Sequence, residues 1–190
     1  MEKVKAFFKN EMMIVVLIAL CVIFGIINPD FVSIKNLLNI CTQNATLIIA
    51  TTGIAMIMIS GGTDLSVGNA MSVCGVVMAI SMQDGGLPTP AAVIIGIVIG
   101  IALGMFNGFI SNLFTIHPMI VSLATMTMYQ GISFTISGSR SFNKFADGFM
   151  TIGQGKIGMV SFPIIIFIIV VIVFSFIMSK TCFGRFVYAV

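Results

Sequence analysis

The chain has 190 residues, of which 58% are hydrophobic and only 8% charged, and its mean hydropathy is +1.18. A soluble domain carries about a quarter charged residues. A chain of this size cannot hide so many apolar side chains in one core, so an ordinary soluble protein is excluded. The net charge of +3 comes from nine basic residues scattered along the chain rather than from a patch, which sets a nucleic-acid partner aside and leaves the lipid bilayer as the first partner.

The N-terminal segment 1–11, "MEKVKAFFKNE", is charged and reads as a short cytoplasmic lead-in. The apolar run from Met12 to Ile27 is followed by no small-x-small cleavage site, so it reads as a retained signal anchor rather than a cleaved leader. A spanning helix needs about 20 mostly apolar residues. Six such spans are predicted, at about 12–28, 36–59, 66–83, 91–113, 118–138 and 161–179. The fold class is all-α, a polytopic transmembrane helix bundle forming one domain over 1–190. The connections carry breakers: "NPDF", "SGGTDLS", "QDGGLPTP", "TIHP" and the long "GSRSFNKFADGFMTIGQGKIGMVS". Pro118 suits the first turn of the fifth helix, where a missing N–H costs nothing.

If the N-terminus is cytoplasmic, Lys3, Lys5, Lys9, Lys180 and Arg185 lie inside and Lys35, Arg140, Lys144 and Lys156 outside. The dense N-terminal cluster favours that orientation, because the first helix usually dominates.

The stretch "SGGTDLSVG" at 60–68 places an aspartate among glycines between two apolar segments. Gly61 and Gly62 are expected to stop the second helix, since glycine readily takes the left-handed conformation at a helix end. Thr63 or Asp64 is expected to cap the third helix, with Ser66 and Gly68 completing the motif; a mobile gate near the path is the alternative reading of the stretch. On the cytoplasmic side such a charge avoids the cost of mid-membrane burial, about 2.5–3.5 kcal/mol.

Gly96, Gly100, Gly104 and Gly108 recur every fourth residue along the fourth span and form a bare, slowly winding groove. Such a groove lets another helix backbone approach closely, which is the expected role; lining a moving interface is the alternative. On the second span Asn36, Asn39, Gln43 and Thr46 fall within about 80° of one another. The fifth span carries a similar line, Ser122, Thr125, Tyr129 and Ser133. Both faces should point away from lipid. Two readings of them stand open: hydrogen bonds between helices, or the wall of a path that can hold a polyol.

Catalytic and metal chemistry find no support. Cys21, Cys41, Cys74 and Cys182 have no disulfide or zinc spacing, and His117 is the single histidine. "GQGKIG" at 153–158 lacks the strand–turn–helix setting of a dinucleotide fingerprint, and Met150 and Ile157 stand where a P-loop needs Gly and Ser or Thr. No nucleophile–base or carboxylate pair suggests an enzyme, and no cofactor or metal is expected.

Taken in order, "NLLNI" at 36–40, "SGGTDLSVG" at 60–68, "GMFNGFI" at 104–110, "HPMIVSLATMTMYQGIS" at 117–133 and "FGRFVYAV" at 183–190 resemble the ribose-type permeases of ATP-binding-cassette importers. Thr63 stands where that family has a larger aliphatic residue, and His117 where it has an apolar residue or proline. The resemblance implies a permease domain in a bacterial inner membrane, paired with a second permease subunit. It also implies a cytoplasmic ATPase subunit and a periplasmic or extracellular sugar-binding protein. Family members continue beyond the equivalent of Val190 into a cytoplasmic segment that docks on the ATPase and into further spans. The function expected is passage of a monosaccharide or similar polyol through the membrane, without covalent chemistry. A secondary transporter with interrupted helices and a structural membrane protein without a path are the alternatives.

If Asp64 acts as a cap, Asp64→Asn keeps most transport in cells carrying the intact subunit, and Asp64→Ala loses assembly or activity. Equal damage from both would mean that the charge matters more than hydrogen bonding.

Overall fold

The computed structural model describes residues 12–143 and 145–189. Residues 1–11, expected to be a cytoplasmic lead-in, and Lys144, both used in the orientation argument, lie outside the described residues. The chain divides into two units, one ending at Asn44 and the other beginning at Ala45.

In the first unit α1 (Met12–Ile27) leads through a 3-10 turn (Pro29–Val32) into the start of α2 (Ile34–Ile59). Local hydrogen bonds shape this corner. The Asn28 side chain accepts from Asp30 N–H at 3.0 Å. Ser33 Oγ accepts from Asn36 N–H at 3.2 Å, and Asn36 Nδ2 donates to Phe31 O at 2.8 Å. Asn36, expected on a polar face, thus also fastens the start of its own helix. Phe24 packs on Phe31 with ring centroids 5.8 Å apart.

The second unit holds the rest of α2, then α3 (Val67–Gln83), α4 (Thr89–Phe114) and α5 (Pro118–Ser137). It continues with α6 (Asp147–Gln154), a two-stranded antiparallel hairpin β1–β2 (Lys156–Ile157 and Val160–Ser161), α7 (Phe162–Lys180) and α8 (Cys182–Ala189). The six predicted spans coincide with α1 to α5 and α7. Four of these helices, α2, α4, α5 and α7, are long and apolar enough to cross a membrane. With 16 and 17 residues, α1 and α3 reach only about 24–26 Å. The non-helical residues before α3 add to its span.

The packed centre is α3, α4 and α5. The inner face of α5 buries Val121, Ser122, Thr125, Tyr129, Ser133 and Ser137, at the spacing of one helical stripe. Outward faces present large apolar side chains, such as Ile97, Val98 and Ile101 on α4 and Ile169, Ile172 and Phe176 on α7. Lipid is the solvent that suits them, and the protein is a multi-pass all-α membrane bundle.

Helix ends follow their sequence signals, with two corrections. Gly61 takes φ +79°, Gly62 N–H bonds Ile57 O at 3.0 Å and Gly61 N–H bonds Met58 O at 3.1 Å. That double closure is a Schellman cap. Gly62, which was expected to share the left-handed role, serves close approach instead: a Cβ there would lie 3.1 Å from Ile57 Cγ2 and 3.7 Å from Pro118 Cβ. The second concerns 138–161, expected only as a long connection carrying breakers. It contains α6 and the hairpin, because the apolar Phe149, Met150 and Ile152 are spaced for a short amphipathic helix and Gly158, at φ +63°, turns the strands.

Arg140 forms an ion pair with Asp84, placing the α3–α4 turn and the start of the α5–α6 link at one end of the bundle. Ser122 Oγ donates to Thr63 O at 3.4 Å, placing the α2–α3 and α4–α5 turns together at the other. Up-and-down passage through the bilayer requires this alternation.

Gly61→Ala should lower the midpoint of thermal unfolding in detergent by the equivalent of about 1–2 kcal/mol, the cost of a Cβ in the left-handed region. Gly53→Ala, in mid-helix with open space at its Cβ position, should leave the midpoint unchanged or raise it.

Candidate functional site

Between Ile59 and Val67 the chain is not helical, and this break is held against α4 and α5. Asp64 Oδ1 accepts from the Ser66 N–H at 2.8 Å and from the Ser66 hydroxyl at 2.7 Å, a local turn held by an aspartate. This corrects the expected cap. The N-cap of α3 is Ser66, and its side chain bonds no helical N–H. The reason is that the Ser66 hydroxyl is already committed: it donates to Asp64 and accepts from Asn107 Nδ2 at 2.8 Å. Asp64 shapes the entry to the helix from two residues before the N-cap, still at the favourable end of the helix dipole.

The chain of bonds continues inward. Asn107 Oδ1 accepts from the Tyr129 hydroxyl at 3.0 Å, and Leu103 O lies 3.0 Å from the same hydroxyl. Every donor therefore points the same way, from Tyr129 on α5 through Asn107 on α4 and Ser66 to the Asp64 carboxylate. Polarisation along such a run strengthens each member, and the negative charge sits at its accepting end. Burial is nearly complete, with exposures of 0% for Tyr129, 1% for Ser66 and 9% for Asn107. Among the described residues no buried side-chain nitrogen or oxygen lacks a partner.

Two cavities meet at this chain. One, of about 710 Å³, is lined by Thr63, Ser122 and the α4–α5 turn. The other, of about 540 Å³, runs along the spans past Thr46, Cys74, Ser66 and Tyr129. Ile57, Asp64, Gly104 and Asn107 line both. Both volumes lie in the range of small-molecule sites, roughly 300–1,000 Å³.

The sequence-predicted residues separate into groups. On α5, Ser122, Thr125, Tyr129 and Ser133 are buried in helix contacts: Thr125 Oγ1 bonds Ser122 O at 3.3 Å, and Ser133 Oγ lies 2.9 Å from Ser72 Oγ on α3. On α2, Asn39, Gln43 and Thr46 are exposed, and Thr46 lines the mid-span cavity. The glycine stripe divides in the middle. A Cβ at Gly96 would fall 2.5 Å from Met78 Sδ and one at Gly100 would lie 3.5 Å from Cys74 Sγ, whereas Gly104 and Gly108 face open space and line cavities. Gly68 likewise has open space around its Cβ position.

Asn107, the centre of the chain, was not singled out from the sequence, nor were Asn69, whose Nδ2 donates to Met126 O at 2.8 Å, and Ser72. A signal for Asn107 was present: an amide in the middle of an apolar span, three residues after Gly104 and next to Gly108. A polar group there is expensive unless it has partners.

Over residues 36–190 the chain matches the family described as branched-chain amino acid transport system / permease component, and it belongs to that family. It is 35% identical over 179 residues to the ribose import permease protein of Haemophilus influenzae, covering 92% of this chain and 55% of that protein. Similarity to the D-allose transport system permease protein of Escherichia coli is 31%, covering 92% of this chain and 54% of the relative. The galactose/methyl galactoside import permease protein of Salmonella typhimurium is also 31% identical, with 93% and 58% covered. The chain thus spans a little over half the length of these curated relatives. No solved structure matches it.

A double-mutant cycle between Tyr129→Phe and Asn107→Leu should give a coupling of about 0.6–1.7 kcal/mol in detergent unfolding, the span measured for interhelical hydrogen bonds in a membrane protein. Additive effects would show that the two side chains do not act through their bond.

Proposed function

We propose that this chain is the membrane-spanning permease part of an ATP-binding-cassette importer for a monosaccharide or similar polyol, resident in a bacterial inner membrane. The observation that carries the reading is the polar break at 60–66, satisfied by α4 and α5 and bordered on both sides by cavities of small-molecule size. The sugar permeases among its relatives support the substrate class. No covalent step is needed. A second permease subunit would complete the path, a periplasmic binding protein would deliver the solute, and ATP turnover in a cytoplasmic ATPase subunit would rock the helices between inward- and outward-open states.

In this reading the exposed polar face of α2, at Asn39, Gln43 and Thr46, forms part of the path wall. The α5 line serves mainly to bind α5 to its neighbours, as the Ser72–Ser133 and Asn107–Tyr129 contacts suggest. An uncharged polyol suits such a wall, since amides and hydroxyls both donate and accept.

The test is uptake into proteoliposomes holding the intact permease with its cognate ATPase and binding protein. Accumulation of labelled ribose, allose or galactose that requires internal or external ATP at the ATPase face is expected. Uptake driven by an ion gradient without ATP, or no uptake of any monosaccharide, would overturn the assignment.

A further inference from the structure

The mid-span cavity and the cavity at the turn end share a wall of only a few residues, Ile57, Asp64, Gly104 and Asn107. Gly104 contributes no side chain to it, so the wall there rests on Ile57 and on Asp64 and Asn107, which the Ser66 hydroxyl joins. Thr63 and Ser122 face the turn-end cavity, while Ser66 and Tyr129 face the mid-span one. The hydrogen-bond chain therefore runs through the partition between two spaces that each have room for a small solute.

We propose that the Asp64–Ser66–Asn107–Tyr129 chain is a gate between these cavities, closed in this structure, and that Asn107 is its latch. The inference rests on the permease reading above. Asn107 holds the gate shut by joining α4 to the break through Ser66 and to α5 through Tyr129. Both partners are hydroxyls, so a solute hydroxyl can replace either one without leaving the amide unsatisfied. A neutral polyol can thus open the latch by exchange. An anion would meet the Asp64 carboxylate, and an apolar solute would leave the buried amide without a partner. The break itself supplies the movable element: Gly61 and Gly62 give the backbone freedom next to Asp64, and residues 63–65 lie outside any helix.

Cys74 lines the mid-span cavity and gives a native reporter for passage through the partition. The experiment uses the intact permease with Cys21, Cys41, Cys182 and any cysteine outside residues 1–190 replaced by serine, in sealed vesicles of both orientations, with a charged, membrane-impermeant thiosulfonate reagent. A separate Ile116→Cys variant, in the α4–α5 turn, identifies which vesicle face the turn-end cavity opens to. From that face Cys74 should react slowly, and Asn107→Ala should raise its rate about tenfold, the shift expected when one or two interhelical hydrogen bonds holding a closed state are lost. Adding Gly104→Leu, which puts a side chain into the open space of the partition, should return the rate to its starting value. A rate unchanged by Asn107→Ala overturns the gate. So does a rise that Gly104→Leu fails to reverse, because a general loosening of the fold would not be cured by filling the partition. Labelling needs no transport, so the two readings fail separately: loss of sugar uptake with this labelling pattern leaves the gate standing, and sugar uptake without the pattern removes it.

Discussion

A backbone that leaves its helix within an apolar bundle must find partners for the N–H and C=O groups it uncovers. Residues 60–66 meet that demand through backbone closure at Gly61 and Gly62 and, beyond it, through side chains. Asp64 takes the Ser66 N–H, Ser122 bonds the carbonyl of Thr63, and Asn107 holds the Ser66 hydroxyl from α4. The rest of the site follows from this requirement. The break brings a carboxylate against α4, the carboxylate polarises a line of donors, and that line fixes α5 through a fully buried tyrosine.

Packing of the neighbouring helices is arranged around the break. On α4, Gly96 and Gly100 face side chains of α3, Met78 and Cys74, with Gly100 already lining the mid-span cavity. Farther along, Gly104 and Gly108 are left bare, and the space they release becomes cavity. One repeated residue type thus has two uses along one helix. Which use applies depends on what the neighbouring helix presents: Met78 opposite Gly96, and a non-helical segment near Gly104.

Much of the architecture was legible because the bilayer imposes it. A requirement of about 20 apolar residues per crossing marks each span, and Gly and Pro mark the turns. Pro118 begins α5 and Gly61 ends α2 as their chemistry requires. The motif at 60–68 was readable as a break with an aspartate in it. The partner of Ser66 was not, because Asn107 stands 41 residues away and only packing brings the two together. The stretch before α7 was legible only as a long connection, because an eight-residue helix and a hairpin of two-residue strands are too short to leave a clear period.

By itself the sequence determined that the chain crosses a membrane, roughly where it crosses, and which permease family it resembles. Those properties depend on composition, local periodicity and short motifs, all of which are written along one stretch of chain at a time. Only the tertiary structure decided how the polar residues are used. Helical spacing placed Ser122, Thr125, Tyr129 and Ser133 on one face equally well for a path or for packing; in the fold all four are buried, Ser133 reaches Ser72 on α3, Tyr129 reaches Asn107 on α4, and Ser122 and Tyr129 also line the cavities. Whether a mid-span amide stabilises or obstructs depends on what stands opposite it. For Asn107 that is a serine hydroxyl on one side and a tyrosine hydroxyl on the other, contributed by separate parts of the chain.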